Sequence, residues 1–360
     1  LRLVVDRDRS IADFVPVPFW AIDVQLEHAG QHFNAQWRAP EDACDDQGRC
    51  LKQALAQQAA TDIGNAGTAR AVKVATERVR EAAPLPFDLG TLQELCSKKF
   101  GLGAQETLDI AQALYETHKL ITYPRSDCGY LPQSQHAEAP AILAALQRAD
   151  ASLAPLQPYL EPQRRSRAWN DAKVSAHHGI IPTAAASDPS RLPAKHKAVY
   201  TLIRARYLAQ FLPNHEYDRT QADFDCAGHA LRAVGKQIVE PGWRRALPEA
   251  LTPAKGREAP PAQVLPALRE GQDCNVQGLQ LKDLWTQPPK PFTEGDLIKA
   301  MKNVAKLVDD PRLKQKLKET TGIGTEATRA SIIQGLLDRG YLVKNGKALA
   351  ATPAAFSLID

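Results

Sequence analysis

The feature that most constrains the fold is a hydrophobic period that changes and then changes back. Residues 11 to 38 set Val15, Val17, Phe19, Trp20, Ile22, Val24, Phe33 and Trp37 in partial alternation around Gly30, the pattern of strands joined by a turn. Asp42 to Gly48 is acidic and turn-forming. Beyond Pro84-Leu-Pro86 the period moves from about two to about 3.6. Between 216 and 285 short β-like segments with Gly and Pro punctuation return. A β-rich unit completed after a helical unit has been inserted into it accounts for both changes.

Within the insertion, Leu108, Ala111 and Tyr115, with Ile110 and Leu114 beside them, form one apolar helix face that ends near His118-Lys119. Leu120-Ile-Thr-Tyr123 is a short extended run, and Pro140 to Ala168 mixes helix with Pro-rich loop. From Thr293 the pattern is helical again. Thr293 and Asp296 have capping spacing, and Leu297, Met301, Val304 and Val308 follow at i, i+4, i+7 and i+11. A second helix is predicted from Thr325 to Gly340 with Ala330, Ile333 and Leu337 as its stripe, followed by a strand over Tyr341-Leu-Val343.

The 45 Lys and Arg against 41 Asp and Glu leave +4, too small a surplus to imply a polyanionic partner by itself. The distribution is uneven. From Arg164 to Arg206 there are nine basic residues (Arg164, Arg165, Arg167, Lys173, Arg191, Lys195, Lys197, Arg204, Arg206) against Asp171 and Asp188, a local +7. Six scattered cysteines form no C-x-x-C pair, so neither a zinc site nor a disulfide framework is signalled, and a reducing cytoplasm fits. No window holds the roughly 18 apolar residues of a membrane span. The chain begins at Leu1 and its one methionine is Met301, which reads as a piece of a longer protein.

Ile121-Thr-Tyr-Pro-Arg-Ser-Asp127 is the most unusual local sequence. Pro124 biases Tyr123 towards an extended conformation, and in an extended chain Tyr123 and Arg125 share a face. A phenol beside a permanently charged guanidinium suits attack on a phosphodiester, with tyrosine as nucleophile and arginine holding the phosphate. The bland alternative is a strand end with an aromatic ring packed on proline.

Ala176-His-His-Gly-Ile-Ile-Pro-Thr183 lies in the basic stretch and offers phosphate contacts or a metal site. Metal is the poorer choice, since adjacent strand side chains face opposite ways and no ligand spacing surrounds them. Gly322-Ile-Gly-Thr-Glu-Ala-Thr-Arg329 puts a Gly-rich turn before a helix, where free amides could hold an anion. Gly340 to Lys347 fails as an ATP loop, with one residue too many and Ala348 in place of Ser or Thr. The Lys and Arg run from Lys299 to Lys318 reads as a solvated helix face, and Asp6-Arg-Asp8-Arg-Ser10 as a charged helix end rather than a magnesium site.

In this order, the motifs resemble those of the bacterial type IA DNA topoisomerases, on the topoisomerase III branch. The nucleophile motif is matched by Ile121–Asp127 and the histidine motif by Ala176–Thr183. Thr286-Gln-Pro-Pro-Lys-Pro-Phe-Thr293, Gly322–Arg329 and Thr91-Leu-Gln93 match further signatures. Proline after the tyrosine, and Thr-Glu-Ala-Thr after Gly-Ile-Gly, favour topoisomerase III over topoisomerase I.

The resemblance implies an α+β multidomain toroid. Residues 1–10 would end a base-domain linker helix, 11–85 and 177–289 form a β-rich arch, 86–176 a helical tyrosine domain, and 290–360 part of a helical DNA-binding base. It implies that Tyr123 attacks single-stranded DNA to leave a 5′-phosphotyrosyl link, that Arg125 stabilises the transferring phosphate, and that no ATP is used. DNA contacts are implied for His177, His178, Lys173, Thr183, Arg164, Arg165, Gly324, Thr325, Thr328 and Arg329. Magnesium is expected in a Toprim domain that would precede Leu1, with no metal site in this chain. Single-stranded DNA is the expected partner, with a helicase or a single-strand-binding protein beside it, in the nucleoid-associated cytoplasm. Residues 30 to 50, or a loop at 62 to 70, are read as insertions contacting a second DNA segment.

Alone, the chain is expected to bind single strands without relaxing DNA. The alternatives are a non-catalytic clamp, with Tyr123 stacking on a base while Arg164 to Arg206 tracks the backbone, and a relaxase-like nuclease.

Overall fold

The computed structural model describes residues 1–185, 187–247, 263–306, 311–319 and 322–359. After α1 (Arg2–Ala12), two separated stretches of chain build one closed antiparallel barrel. The first supplies β1 (Pro18–His28), β2 (Gln31–Trp37) and, after α2 (Gln53–Ala66), β3 (Thr68–Glu81). The second supplies β4 (His215–Cys226), β5 (His229–Glu240) and β6 (Asp273–Trp285), and the order around the barrel is β1-β2-β5-β4-β3-β6.

The β1–β2 and β4–β5 hairpins turn on Ala29-Gly30 (φ 52° and 81°) and Ala227-Gly228 (φ 52° and 80°). Positive φ at both central residues makes turns whose twist matches that of the flanking strands. Alternate residues fill the interior: Ile22, Val24 and Leu26 from β1, Phe33 and Ala35 from β2, Phe224 from β4 and Leu231 from β5. The helix α2 adds Ala56, Ala59 and Ile63 to this core, one face at i, i+3 and i+7. The predicted loop at 62–70 is therefore the end of α2, Gly67 and the start of β3.

β3 and β4 pair along Arg70–Glu81 and carry exposed charge pairs, Arg78–Asp218 at 2.5 Å, Arg80–Glu216 at 3.2 Å and Arg219–Glu77 at 3.3 Å. At the end of β3, Trp243 Nε1 donates to the Glu81 carbonyl at 2.8 Å, which ties the ribbon to a second core. That core is helical: α3 (Leu89–Phe100), α4 (Ala104–Glu116), α5 (Ala139–Ala149) and α6 (Ala194–Leu208) enclose Phe87, Leu92, Leu114, Leu146, Val199, Tyr207, Phe211 and Trp243.

Residues 177–212, set with the arch on sequence grounds, pack in this helical core. The reason is local: 181–183 pairs with 120–122, Gly179 and Ile180 bond Tyr130 and Phe87, and α6 buries Val199, Tyr200, Ile203, Arg204 and Tyr207 around most of its circumference.

A third core joins α1 to the C-terminal part. α7 (Glu294–Lys302), α8 (Pro311–Glu319), α9 (Glu326–Asp338), β7 (Leu342–Asn345), β8 (Ala348–Ala351) and α10 (Pro353–Ile359) make up that part. Its interior holds Val4, Phe292, Leu297, Ile298, Met301, Ala330, Ile333, Leu342 and Leu349. The Thr293–Asp296 capping box opens α7. The helix stops at Lys302 instead of running on, and the Met301 carbonyl accepts the Ile323 N–H at 3.0 Å, a partner from outside the helix. Val308 lies outside the described residues. In the Asp6–Ser10 stretch, Asp6 pairs with Arg2, Arg7 stacks 4.2 Å over Phe292 and Asp8 accepts the Ala351 N–H at 2.7 Å. No helix among the described residues is long and apolar enough to cross a membrane.

Candidate nucleic-acid interface around Tyr123

Tyr123 is held by backbone pairing that leaves its ring outside. The Thr122 N–H donates to the Ile181 carbonyl at 2.9 Å, and the Thr183 N–H to the Leu120 carbonyl at 3.0 Å. From there Tyr123, Arg125 and Asp127 are exposed while Pro124, Ser126 and Cys128 are buried, the period of two expected of an extended chain. The Tyr123 ring is 39% exposed, stacks on His177 with centroids 5.0 Å apart and meets Tyr115 edge-on at 5.8 Å. His177 Nδ1 lies 3.9 Å from Asp127 Oδ1, which accepts the Ser175 hydroxyl at 2.9 Å. Arg125 has no ion-pair partner among the described residues.

The two histidines differ in duty. His178 Nδ1 lies 2.9 Å from the Gly179 carbonyl and its Nε2 2.9 Å from Gln135 Nε2, so Nδ1 is the protonated nitrogen and the ring is fixed within the loop. Gly179 cannot be enlarged, because an added Cβ would fall 2.9 Å from Pro86 Cβ and 3.2 Å from the Gly129 carbonyl. Lys173 donates to the Tyr130 hydroxyl at 3.3 Å on the same side as Asp127. Thr183 spends its hydroxyl on the Lys119 carbonyl at 2.6 Å and serves the strand pairing.

The basic stretch is not one track. Arg204 is buried and paired with Asp150 at 2.6 Å, Arg164 is paired with Glu161 at 3.2 Å, and Lys195 is paired with Glu106. Arg165 bonds Gln133, beside the segment that fixes His178. Sequence counting sees charge but not these partners.

The glycine loop differs most from expectation. Thr325 and Thr328 cap each other at the start of α9. Gly322, at φ 93°, sits where a Cβ would come within 2.3 Å of the Met301 carbonyl. Arg329 is 1% exposed, its Nη1 2.6 Å from Glu326 Oε1, with Nε and Nη2 donating to the Ile323 and Gly324 carbonyls at 3.0 Å each. A guanidinium so enclosed shapes the loop from behind and lies off the surface, not on it as the DNA-contact expectation requires.

Beyond Glu326 the polar chain continues. Lys302 lies 3.3 Å from Glu326 Oε1 and 2.9 Å from Asp88 Oδ2, and Asp88 caps α3 through the Thr91 N–H at 2.6 Å. Burial works to lower the Lys302 pKa, but Asp88 and Glu326 outweigh it and the ammonium titrates above its ordinary value. The first turn of α3 also contacts the tyrosine loop, through Leu89 N–H to the Ser126 carbonyl at 2.9 Å. A continuous path of contacts thus runs from Arg329 to the Tyr123 segment.

A family model described as DNA topoisomerase matches residues 1–360. The chain belongs to the bacterial type IA DNA topoisomerases. It is 40% identical over 364 residues to a DNA topoisomerase 3 of Salmonella typhimurium and 38% identical over 381 residues to that of Pasteurella multocida. Each match takes in 100% of this chain, but only 55% and 57% of the relative, so the chain spans a little over half their length. The full-length topoisomerase I of Thermotoga maritima shares the fold with a TM-score of 0.70 at 22% identity, over 98% of this chain and 52% of that one.

The sequence names Tyr123, Arg125, His177 and Lys173 as candidates; the structure adds Asp88, Asp127, Tyr130, Lys302 and Glu326 around and behind them. Asp127 and Glu326 lie within the quoted motifs with no role given them, and Asp88 shows only as a capping residue three before Thr91. Among the described residues no group of three or more His, Cys, Asp or Glu side chains converges on a point that could hold a metal ion. These residues do not fit a magnesium site, and no step below is routed through one.

Proposed function

We propose that this chain carries the nucleophile and strand-gating part of a type IA topoisomerase that passes one DNA strand through a transient break in another. The observation that carries the reading is the exposed Tyr123, stacked on His177 and sharing an extended edge with the unpaired Arg125. The Tyr123 hydroxyl gives up its proton as its oxygen attacks the phosphorus of a single-strand phosphodiester, an O–P bond forms, the bond to the 3′ oxygen breaks, and that oxygen takes up a proton in exchange. The reverse attack by the 3′ hydroxyl reseals the strand. Because the link conserves the bond energy, ATP is not consumed.

Arg125 offers donors to the phosphate as charge builds on it, and the loss of one such donor typically raises a barrier by about 2.7 to 4 kcal/mol. His177 and Lys173 meet neighbouring phosphates. Any magnesium is proposed to bind in the portion of the relatives that this chain does not cover. A helicase or single-strand-binding protein that exposes DNA strands in the cytoplasm is the natural partner.

The test supplies that portion in trans with magnesium and an end-labelled single strand. A covalent adduct mapped to Tyr123 and abolished by Tyr123→Phe is expected. Intact, salt-dependent strand binding with no adduct would instead make the stacked Tyr123–His177 pair a platform in a non-catalytic clamp. The 360 residues alone are expected to bind single strands and to leave supercoiled DNA unrelaxed.

A further inference from the structure

Arg206, on α6, lacks the counter-charge that the other enclosed arginines have. Arg204 pairs with Asp150, Arg244 with Glu81 at 2.7 Å and Arg329 with Glu326. Arg206 Nη1 donates to the Leu85 carbonyl at 2.8 Å and its guanidinium carbon lies 4.3 Å over the Phe87 ring, two contacts that fix the group without neutralising it. No carboxylate lies within ion-pair distance of it among the described residues. Burial lowers its pKa to about 10, against the distant pull of Asp88 and Glu94. A half-buried charge without a partner is costly to hold, so a site that keeps one suits an anion that arrives from outside.

The guanidinium faces a cavity of about 330 Å³ beside the tyrosine loop, lined also by Asp88, Thr91, Asp127, Tyr130 and Lys173. Among the described residues the Lys173 ammonium has only the neutral Tyr130 hydroxyl as its polar contact. Asp88 is matched by Lys302 and caps the Thr91 N–H, whereas Asp127 accepts only the neutral Ser175 hydroxyl and keeps its charge. Arg206 and Lys173 together outweigh Asp127, so the lining keeps an excess of positive charge. Asp127 and Ser175 form a wall that this cavity shares with the Tyr123–His177 pair.

We infer that the cavity is a phosphate subsite, in which Arg206 and Lys173 hold a backbone phosphate of the same strand that crosses Tyr123. The inference rests on the strand-cleaving reading and names a contact outside the family motifs quoted above. Guanidinium geometry suits two phosphate oxygens at once, and Lys173 adds a point charge.

The test compares the purified wild-type chain with Arg206→Gln and Arg206→Lys. Fluorescence anisotropy with a labelled single-stranded oligonucleotide is read across a salt series. Arg206→Gln is expected to weaken binding about tenfold and to reduce the salt slope by about 0.7, the release expected for one single-strand phosphate, while Arg206→Lys keeps the slope. The melting temperature of Arg206→Gln should equal or exceed that of wild type, because an uncompensated charge has gone. Inorganic phosphate at matched ionic strength should raise the wild-type melting temperature and leave that of Arg206→Gln unchanged.

Unchanged affinity and slope in Arg206→Gln, or equal phosphate effects on both proteins, would overturn the inference and point to a protein carboxylate as the missing counter-ion. The phosphate arm needs no DNA cleavage. Loss of the Tyr123 adduct and loss of the subsite are therefore read separately.

Discussion

Arg329→Ala separates the two roles open to the arginine of the glycine loop. The substitution removes its pairing with Glu326 at 2.6 Å and leaves the Ile323 and Gly324 carbonyls without their donors. Breaking a buried pair by removing one partner costs about 3–5 kcal/mol. Glu326 keeps Lys302 at 3.3 Å, a partly exposed ammonium, so the lower end applies. At about 1.4 kcal/mol per factor of ten, a loss near 3 kcal/mol accelerates local opening by about two orders of magnitude. The loss is local to one of three cores, so the assay is amide hydrogen exchange over residues 322–338, with β2 in the barrel as internal control. The double variant Glu326→Gln/Arg329→Met should recover part of the loss, since neither charge is then left alone. Exchange over 322–338 within about threefold of wild type, a shift of less than about 0.7 kcal/mol, would refute the account, as would a salt slope of strand binding lowered by about 0.7 in the charge-removing double variant.

Two further outcomes follow from the same geometry. His177→Ala removes the ring stacked on Tyr123; since such pairs contribute about 0.5–1.5 kcal/mol, local opening of the tyrosine loop, read by hydrogen exchange at the Thr122 amide, should become about two- to tenfold more frequent, and unchanged exchange would count against the stack. Burial pushes the Asp150 carboxyl up, but Ser152 and Arg204 outweigh it and hold it below its ordinary value. With an unfolded pKa of about 3.9, its contribution is present above that pH and is lost as pH falls through the lower folded value. The melting temperature of Asp150→Asn should therefore depend less on pH below about 4 than that of wild type, and parallel curves would count against the pair.

What could be read from the sequence was local. The Gly30 turn, the Thr293–Asp296 capping box, the Ala330–Ile333 stripe and the exposed alternation of Tyr123 with Arg125 each depend on neighbours a few residues away, where periodicity and capping act. α6 left no such trace, because a helix buried around most of its surface has no polar face to set off an apolar one. Charge partners were equally hidden. Arg204 and Asp150 are 54 residues apart, Lys302 and Asp88 are 214 apart, and a count that made 164–206 uniformly basic could not know which charges were already spent.

The seam between the tyrosine-bearing core and the C-terminal core bears on the proposed strand passage. Their apolar clusters are distinct except that Ala104 of α4 is buried in the C-terminal one, and several of the contacts that join them are polar. The Ala104 N–H donates to Glu294 at 2.7 Å, Lys299 reaches Glu94 at 2.7 Å, the Gly295 N–H donates to Ser97 at 3.3 Å and Lys302 reaches Asp88 at 2.9 Å. Polar groups parted in water regain hydrogen bonds to solvent, whereas parted apolar surface forfeits about 25 cal/mol per Å². Opening along this seam is therefore less costly than opening through either apolar core. The Tyr123 loop is hydrogen-bonded wholly within the helical core, so movement along the seam would carry the nucleophile as one body with the helices that position it. An enzyme that holds one DNA end on a tyrosine while it makes room for another strand needs that division between a rigid carrier and a polar, re-formable contact.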